Sequence, residues 1–214
     1  YPDMFGRTLG GAGSGIQFET YPVVQGGYPS HPDECDGYVI TGSKKSVYDD
    51  EPWINDLSDY IQQLHDERKK MVGVCFGHQL VAQLLGGKTE AAEQGWGVGI
   101  HQCRVISEPG FMDPAVDSFG LLVSHKDQVT VLPPGSQLLA TSEFCPNAMF
   151  VIDDHILALQ GHPEFTRGYA RALMQMRAKL LGEKTLHAGI ESLQHDLDSD
   201  LVSSWIIRFI AGTY

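Results

Sequence analysis

The sequence has no unbroken apolar run near the ~18 residues a membrane span requires. Cations are scarce: 15 Lys plus Arg stand against 27 Asp plus Glu, a net charge of −12 over 214 residues. This balance argues against a general nucleic-acid or membrane-surface binder, because phosphate contacts need clustered Lys and Arg. The one compact basic run, Arg68-Lys69-Lys70, falls at the end of a predicted helix, where cations complement the helix dipole. Cysteine is sparse too. The four, at 35, 75, 103 and 145, form no C-x-x-C pair and no disulfide framework, so a reducing, cytoplasmic compartment is expected. No secretory signal and no initiating Met open the chain, and residues upstream of Tyr1 are expected. No linker, repeat or low-complexity tract interrupts it. With 42% hydrophobic residues it can fill one core, which excludes disorder as the main state. We therefore read residues 1–214 as a single domain, with C-terminal helices over 166–214.

Pro2 to Leu9 reads as a helix remnant, and Gly10, Gly11, Gly13 and Gly15 as a flexible turn. No strand precedes those glycines, so they do not make a dinucleotide-binding loop. The alternation of Ile16, Phe18 and Thr20 predicts a strand over Ile16 to Val24. Asp36 to Thr41 is a short apolar run closed by Gly42-Ser43, as in a buried parallel strand. Asp49, Asp50, Glu51 and Pro52 start a helix whose apolar face is Trp53, Leu57, Ile61 and Leu64. Lys70 to Cys75 is the next strand. His78 to Leu85 is the next helix, stopped by Gly86-Gly87. This alternation implies a parallel sheet with right-handed crossovers. Residues 95–131 are strand-rich, and Ile156 to Gln160 is another buried strand. Tyr169, Leu173, Met176 and Leu180 form one helical face; Leu201, Trp205 and Phe209 form a second, read as core.

Sites in open parallel sheets gather at the carboxyl ends of strands. Three such ends carry polar or reactive groups: Gly42-Ser43, Cys75 and His162. Cys75 is the centre of Gly73-Val74-Cys75-Phe76-Gly77, a glycine-x-nucleophile-x-glycine elbow with sulfur as the nucleophile. The turn lifts the side chain from the sheet onto a helix N-terminus, whose partial positive charge favours thiolate. In His162-Pro163-Glu164 the proline biases His162 toward extended backbone, and residues two apart in an extended segment face one side. Glu164 can then hold one imidazole nitrogen and leave the other for Cys75, the logic of a nucleophile, base and orienting acid. Acyl transfer also needs oxyanion donors. The N–H of Phe76 is the first candidate. Gly42-Ser43 either supplies the second or is an ordinary turn.

Gly73-Val74-Cys75-Phe76-Gly77-His78-Gln79, Gly161-His162-Pro163-Glu164 and Thr41-Gly42-Ser43 resemble the signature segments of class I, triad-type glutamine amidotransferases. Ser124-His125-Lys126-Asp127-Gln128-Val129 resembles the S-H-x-D-x-V segment of the branch near the glutaminase domain of GMP synthase. The resemblance implies a flavodoxin-like three-layer α/β sandwich with a mostly parallel central sheet, and a Cys75-His162-Glu164 triad. It implies a γ-glutamyl thioester on Cys75, an oxyanion hole of Ser43 and Phe76 N–H groups, and a glutamyl pocket of Gly42, Gln79, Ser124 and His125. No metal and no cofactor is implied. Two features depart from the family. Gly42-Ser43-Lys44 replaces the Gly-Gly-Pro turn of synthase-linked members, and a side chain there makes a backbone flip harder. The family's first core strand is also missing upstream of residue 1.

The expected substrate is glutamine or another small γ-glutamyl compound. Glutamine would release ammonia to a separate synthase. A γ-glutamyl peptide would release an amine, as in the stand-alone γ-glutamyl peptidases, which this chain also resembles in its Cys-Phe-Gly-His-Gln stretch. Two other classes compete. A metal hydrolase could use His125, Asp127, His162 and Glu164, but would leave Cys75 without a role. A non-catalytic module could share the fold. Cys35, Cys103 and Cys145 read as structural, and His65, His101, His155, His187 and His195 as surface or locally bonded.

Overall fold

The computed structural model describes residues 2–12 and 15–212, so Gly13 of the glycine-rich turn lies outside the described residues. In chain order the elements are α1 (Pro2–Ala12), β1 (Gly37–Ile40), α2 (Pro52–Asp66), β2 (Lys70–Val74), α3 (Phe76–Leu84), β3 (Lys88–Ala91), β4 (Gly97–Val105) and β5 (Ser118–His125). They continue as β6 (Asp127–Val131), β7 (Ser136–Ser142), β8 (Met149–Ile152), β9 (Ile156–Leu159), α4 (Arg167–Met176), α5 (Ala178–Ser192) and α6 (Ser199–Ala211). Seven strands form one sheet in the order β1-β2-β9-β8-β7-β4-β5, and β3 with β6 forms a small second sheet. The parallel pairings, β1 with β2 and β2 with β9, lie where the sequence places its reactive strand ends. The other four strands join antiparallel, so the α/β sheet is mixed beyond β9.

The period-2 alternation of strand side chains separates two cores. Met71, Ile156 and Ala158 face Ile54, Leu57, Ile61 and Leu64 of α2 and Phe76, Leu80 and Val81 of α3. Val72, Val74, Leu157 and Leu159 face the other way, toward Phe5 and Leu9 of α1 and Val202, Trp205 and Phe209 of α6. Helix, sheet and helix therefore make three layers, and β2 and β9 read as continuous apolar runs because both of their faces are covered. A third cluster packs Val98, Ile100 and Leu122 of β4 and β5 under α4 and α5.

Several expectations need correction. The predicted strand over Ile16 to Val24 is unpaired coil that leads into a short 3-10 turn, Val23–Gln25, and Phe18 is 46% exposed. Alternation alone cannot make a strand where no neighbouring strand supplies hydrogen bonds. Helix α3 begins at Phe76, two residues before the expected start, because the chain enters it directly from Cys75. Tyr169, Leu173, Met176 and Leu180 do not share one helical face: the helix ends at Met176, Tyr169 and Leu173 pack against the third cluster, and Met176 and Leu180 are largely exposed. His65 and His155 are partners, with His65 Nδ1 2.9 Å from His155 Nε2 and the rings stacked 5.0 Å apart. Burial pushes the His155 imidazole below its usual range, an effect that Arg68 and His65 reinforce.

The C-terminal helix face is core as expected. Trp205 is fully buried and meets Phe119 edge-on at 5.4 Å. Trp205→Ala should cost about 3–5 kcal/mol in urea denaturation. Met176→Ala, on the exposed face, should change stability by no more than about 0.5 kcal/mol.

Candidate active site

At Cys75 the backbone belongs to two elements at once. Its N–H donates to the Leu159 carbonyl of β9 at 3.0 Å, while its own carbonyl accepts from Gln79 N–H of α3 at 3.0 Å. Meeting both demands puts Cys75 at φ 54° and ψ −99°, a left-handed, strained conformation for a residue with a side chain. The flanking glycines explain how the turn closes. A Cβ on Gly73 would sit 2.7 Å from the Gly77 carbonyl, and one on Gly77 would sit 2.3 Å from the Ile40 carbonyl of β1.

His162 follows β9, the strand beside β2. Its N–H donates to the Leu122 carbonyl of β5 at 2.8 Å, and its ring stacks on Phe165 at 3.9 Å. Nδ1 lies 2.7 Å from Glu164 Oε1, and both residues are buried. The imidazole also shares a side-chain hydrogen bond with Cys75. Burial by itself would lower the His162 pKa. The charges of Glu164 and Cys75, with the hydrogen bonds to both, outweigh it and push the value up to about 10. Gly42 closes over the pair: a Cβ there would come within 3.1 Å of His162 Cε1 and 3.7 Å of Cys75 Cβ.

Cys75 and His162 border a cleft of about 230 Å3, which Ser43, Phe76, Gln79, Ser124 and His125 also line. Of the other candidate site residues, Glu164 is joined to this cleft through its bond to His162, and Gly42 lies against His162 and Cys75. Both amide hydrogens of Gln79 are engaged, with the Asp127 carbonyl at 2.6 Å and Gln160 Oε1 at 3.0 Å, so only its oxygen is left to offer. His125 is neutral. Burial drives its pKa down to about 3, and Nδ1 faces the Asp127 carbonyl at 2.9 Å, so that nitrogen carries the proton. Among the described residues no group of three or more His, Cys, Asp or Glu is arranged to hold a metal ion.

The model of the family "Glutamine amidotransferase class-I" matches residues 16–189. The chain belongs to this family. Gamma-glutamyl peptidase 3 of Arabidopsis thaliana is 35% identical over 175 residues, covering 78% of this chain and 70% of that protein. The glutamine-hydrolyzing GMP synthase of Thermomicrobium roseum is 35% identical over 130 residues, covering 60% of this chain and 23% of that one. A crystal structure of a glutamine amidotransferase from Thermotoga maritima superposes with a TM-score of 0.78 at 21% identity, over 91% of this chain and 86% of that one, and shares its fold.

The cleft also holds Arg177, which sequence reasoning missed. Arg177 donates to Ser124 Oγ at 3.0 Å, and its guanidinium lies 5.3 Å from the Trp96 ring centre. Arg177 is the residue at which α4 ends and α5 begins. No Gly or Pro marks that break, so periodicity carried straight through it. Asp127 accepts from the Ser46 hydroxyl, tying the loop after β1 to the cleft. His78, three residues past Cys75, turns into the core. Its Nε2 is 3.0 Å from the Asn147 carbonyl, and burial drives its pKa down to about 4.

The close approach at the elbow is testable. Gly77→Ala must drive β1 and α3 apart and should cost more than about 2 kcal/mol in denaturant titrations, with activity lost. Gly168→Ala is the control. That helical position has only Thr166 Oγ1 within 4 Å, at 3.9 Å, and alanine there should be neutral or stabilising by up to about 1 kcal/mol.

Proposed function

We propose that this class I glutamine amidotransferase homologue hydrolyses γ-glutamyl amides through a thioester on Cys75. The observation that carries the reading is the double engagement of His162, with Glu164 on one nitrogen and a hydrogen bond to Cys75. The Cys75 sulfur attacks the γ-carbonyl carbon, and the carbonyl electron pair moves onto oxygen. The N–H groups of Phe76 and Ser43 are the donors assigned to that oxyanion. Collapse breaks the C–N bond, and the His162 imidazolium gives its proton to the leaving nitrogen. Neutral His162 then takes a proton from water as it attacks the thioester. Collapse of the second tetrahedral adduct releases glutamate and restores the thiolate–imidazolium pair. Glu164 holds the ring and stabilises its cationic form without transferring a proton.

A γ-glutamyl peptide is the favoured substrate, because the similarity to proteins named γ-glutamyl peptidases extends over 78% of this chain. Glutamine, with ammonia passed to a separate synthase, is the second reading. The shorter match to a GMP synthase favours it.

Cys75→Ala should abolish glutamate release from glutamine and from γ-glutamyl peptides, by at least about 10³-fold, with the circular dichroism spectrum unchanged. Full turnover in that variant would overturn the mechanism, and separate assays of ammonia and glutamate distinguish the two leaving groups. His162→Ala should lose nearly as much, and Glu164→Gln less. The charge of Glu164 raises the His162 pKa, so neutralising it lets the imidazolium lose its proton at lower pH. The alkaline limb of kcat/KM should therefore move to lower pH in Glu164→Gln. An unmoved limb would show that Glu164 does not set the charge on His162.

A further inference from the structure

Asp127, the first residue of β6, touches three walls of the cleft at once. Its carbonyl oxygen accepts from Gln79 Nε2, in the first turn of α3, at 2.6 Å, and from His125 Nδ1, at the end of β5, at 2.9 Å. Its carboxylate accepts from the hydroxyls of Ser46 and Tyr48, both on the loop after β1. That loop also carries Ser43. We propose that Asp127 is a positioning residue for the oxyanion hole: its carboxylate latches the loop and so fixes the Ser43 N–H beside Cys75. The proposal rests on the hydrolase reading above, in which that N–H is a donor.

Three observations support it. First, the loop needs an outside tie. Residues 41–51 form neither helix nor strand and contain no proline, so no ring restrains their backbone. The bonds from Lys45 N–H to Ser43 Oγ and from Asp49 N–H to the Ser46 carbonyl, each 3.1 Å, and the Lys45–Glu51 pair all stay within the loop. Val47 is its buried apolar anchor, packed with α2 and α3, and Asp127 supplies the polar one from the other wall. Second, among the described residues no ion pair includes Asp127, although Lys44, Lys45 and Lys126 line the same cleft. Its oxygens take the loop hydroxyls instead. Third, the tie acts where geometry matters. Oxyanion donors work because they are in place before charge develops. Ser43 lies three residues from Ser46, and a Cβ on the preceding Gly42 would come 3.7 Å from Cys75 Cβ. A shift of the loop would move the Ser43 N–H and leave Cys75, His162 and Glu164 where they are.

The test combines steady-state hydrolysis of γ-glutamyl compounds with amide hydrogen exchange. In Asp127→Ala the carbonyl remains for Gln79 and His125, so the latch alone is removed. That variant should lose about 10- to 100-fold in kcat with KM within about twofold of wild type. Asp127→Asn, which keeps one acceptor oxygen, should recover most of the loss. Ser46→Ala with Tyr48→Phe removes both donors from an exposed loop; it should lose as much, and adding Asp127→Ala to it should cost no more than about twofold further. Exchange at residues 43–48 should quicken in Asp127→Ala and in the loop variant, with that of α3 unchanged. Wild-type kcat in Asp127→Ala, losses that multiply in the combined variant, a loss confined to KM, or unaltered exchange in the loop would overturn the proposal. If Asp127→Ala does not fold, the loop variant decides by the same readouts. If the wild-type chain cleaves no γ-glutamyl compound, the hydrolase reading fails, and exchange still decides whether Asp127 holds the loop. If the wild type turns over and the variants match it, the latch fails and the hydrolase reading remains.

Discussion

At Cys75 the chain leaves a sheet and enters a helix within one residue, at φ 54° and ψ −99°. Such a conformation costs on the order of 1–3 kcal/mol and persists only where its surroundings over-determine it. Here the sheet fixes one side through Leu159 and the helix fixes the other through Gln79. Gly73 and Gly77 let the backbones of β2, α3 and β1 approach closely enough to hold it. The strain has a geometric return. It raises the sulfur off the sheet and sets it against the first turn of α3. The same register, with Val74 opposite Leu159, places the end of β9 beside the end of β2. His162 then needs only three residues beyond Leu159 to reach the sulfur, and its N–H bond to Leu122 stops it from drifting.

What could be read from the sequence was what depends on local pattern. The elbow glycines, the apolar strands that end at Gly42, Cys75 and Gly161, and the His162-Pro163-Glu164 triplet each carry their geometry within a few residues. The resemblance to a known family then supplied the register between distant segments. Other features depend on contacts that no local pattern encodes. Ile16 to Thr20 alternates as a strand does, yet nothing pairs with it. Tyr169 to Leu180 keeps a helical period across a break at Arg177, and the break brings that arginine to the cleft. His65 and His155 are 90 residues apart in sequence, and only the packing of α2 beside the turn into β9 makes them partners.

The charge of the cleft opposes that of the chain. The whole sequence carries −12, yet Lys44, Lys45, Lys126 and Arg177 line the site against one acid, Asp127. That acid is already committed to the Ser46 hydroxyl, and the Tyr48 hydroxyl bonds to it as well. Lys45 is paired with Glu51, outside the cleft. A site lined in this way attracts anions while the surrounding surface repels them. The effect is one of encounter and orientation; the chemistry depends on a different and shorter-range balance.

That balance is visible in three histidines around the site. His78, His125 and His162 are all buried, and burial alone drives an imidazole toward its neutral form. His78 and His125 follow that rule, down to about 4 and about 3; the backbone carbonyls that their ring nitrogens meet act in the raising direction and do not offset burial. His162 goes the opposite way, up to about 10. Desolvation is common to the three, so it cannot separate them. The carboxylate 2.7 Å from Nδ1 and the sulfur on the other side do. A buried cation flanked by two potential anions is expensive as structure, and packing gives no reason to keep it. It suits the proposed chemistry, in which that proton is held ready at neutral pH and given up when the leaving nitrogen requires it.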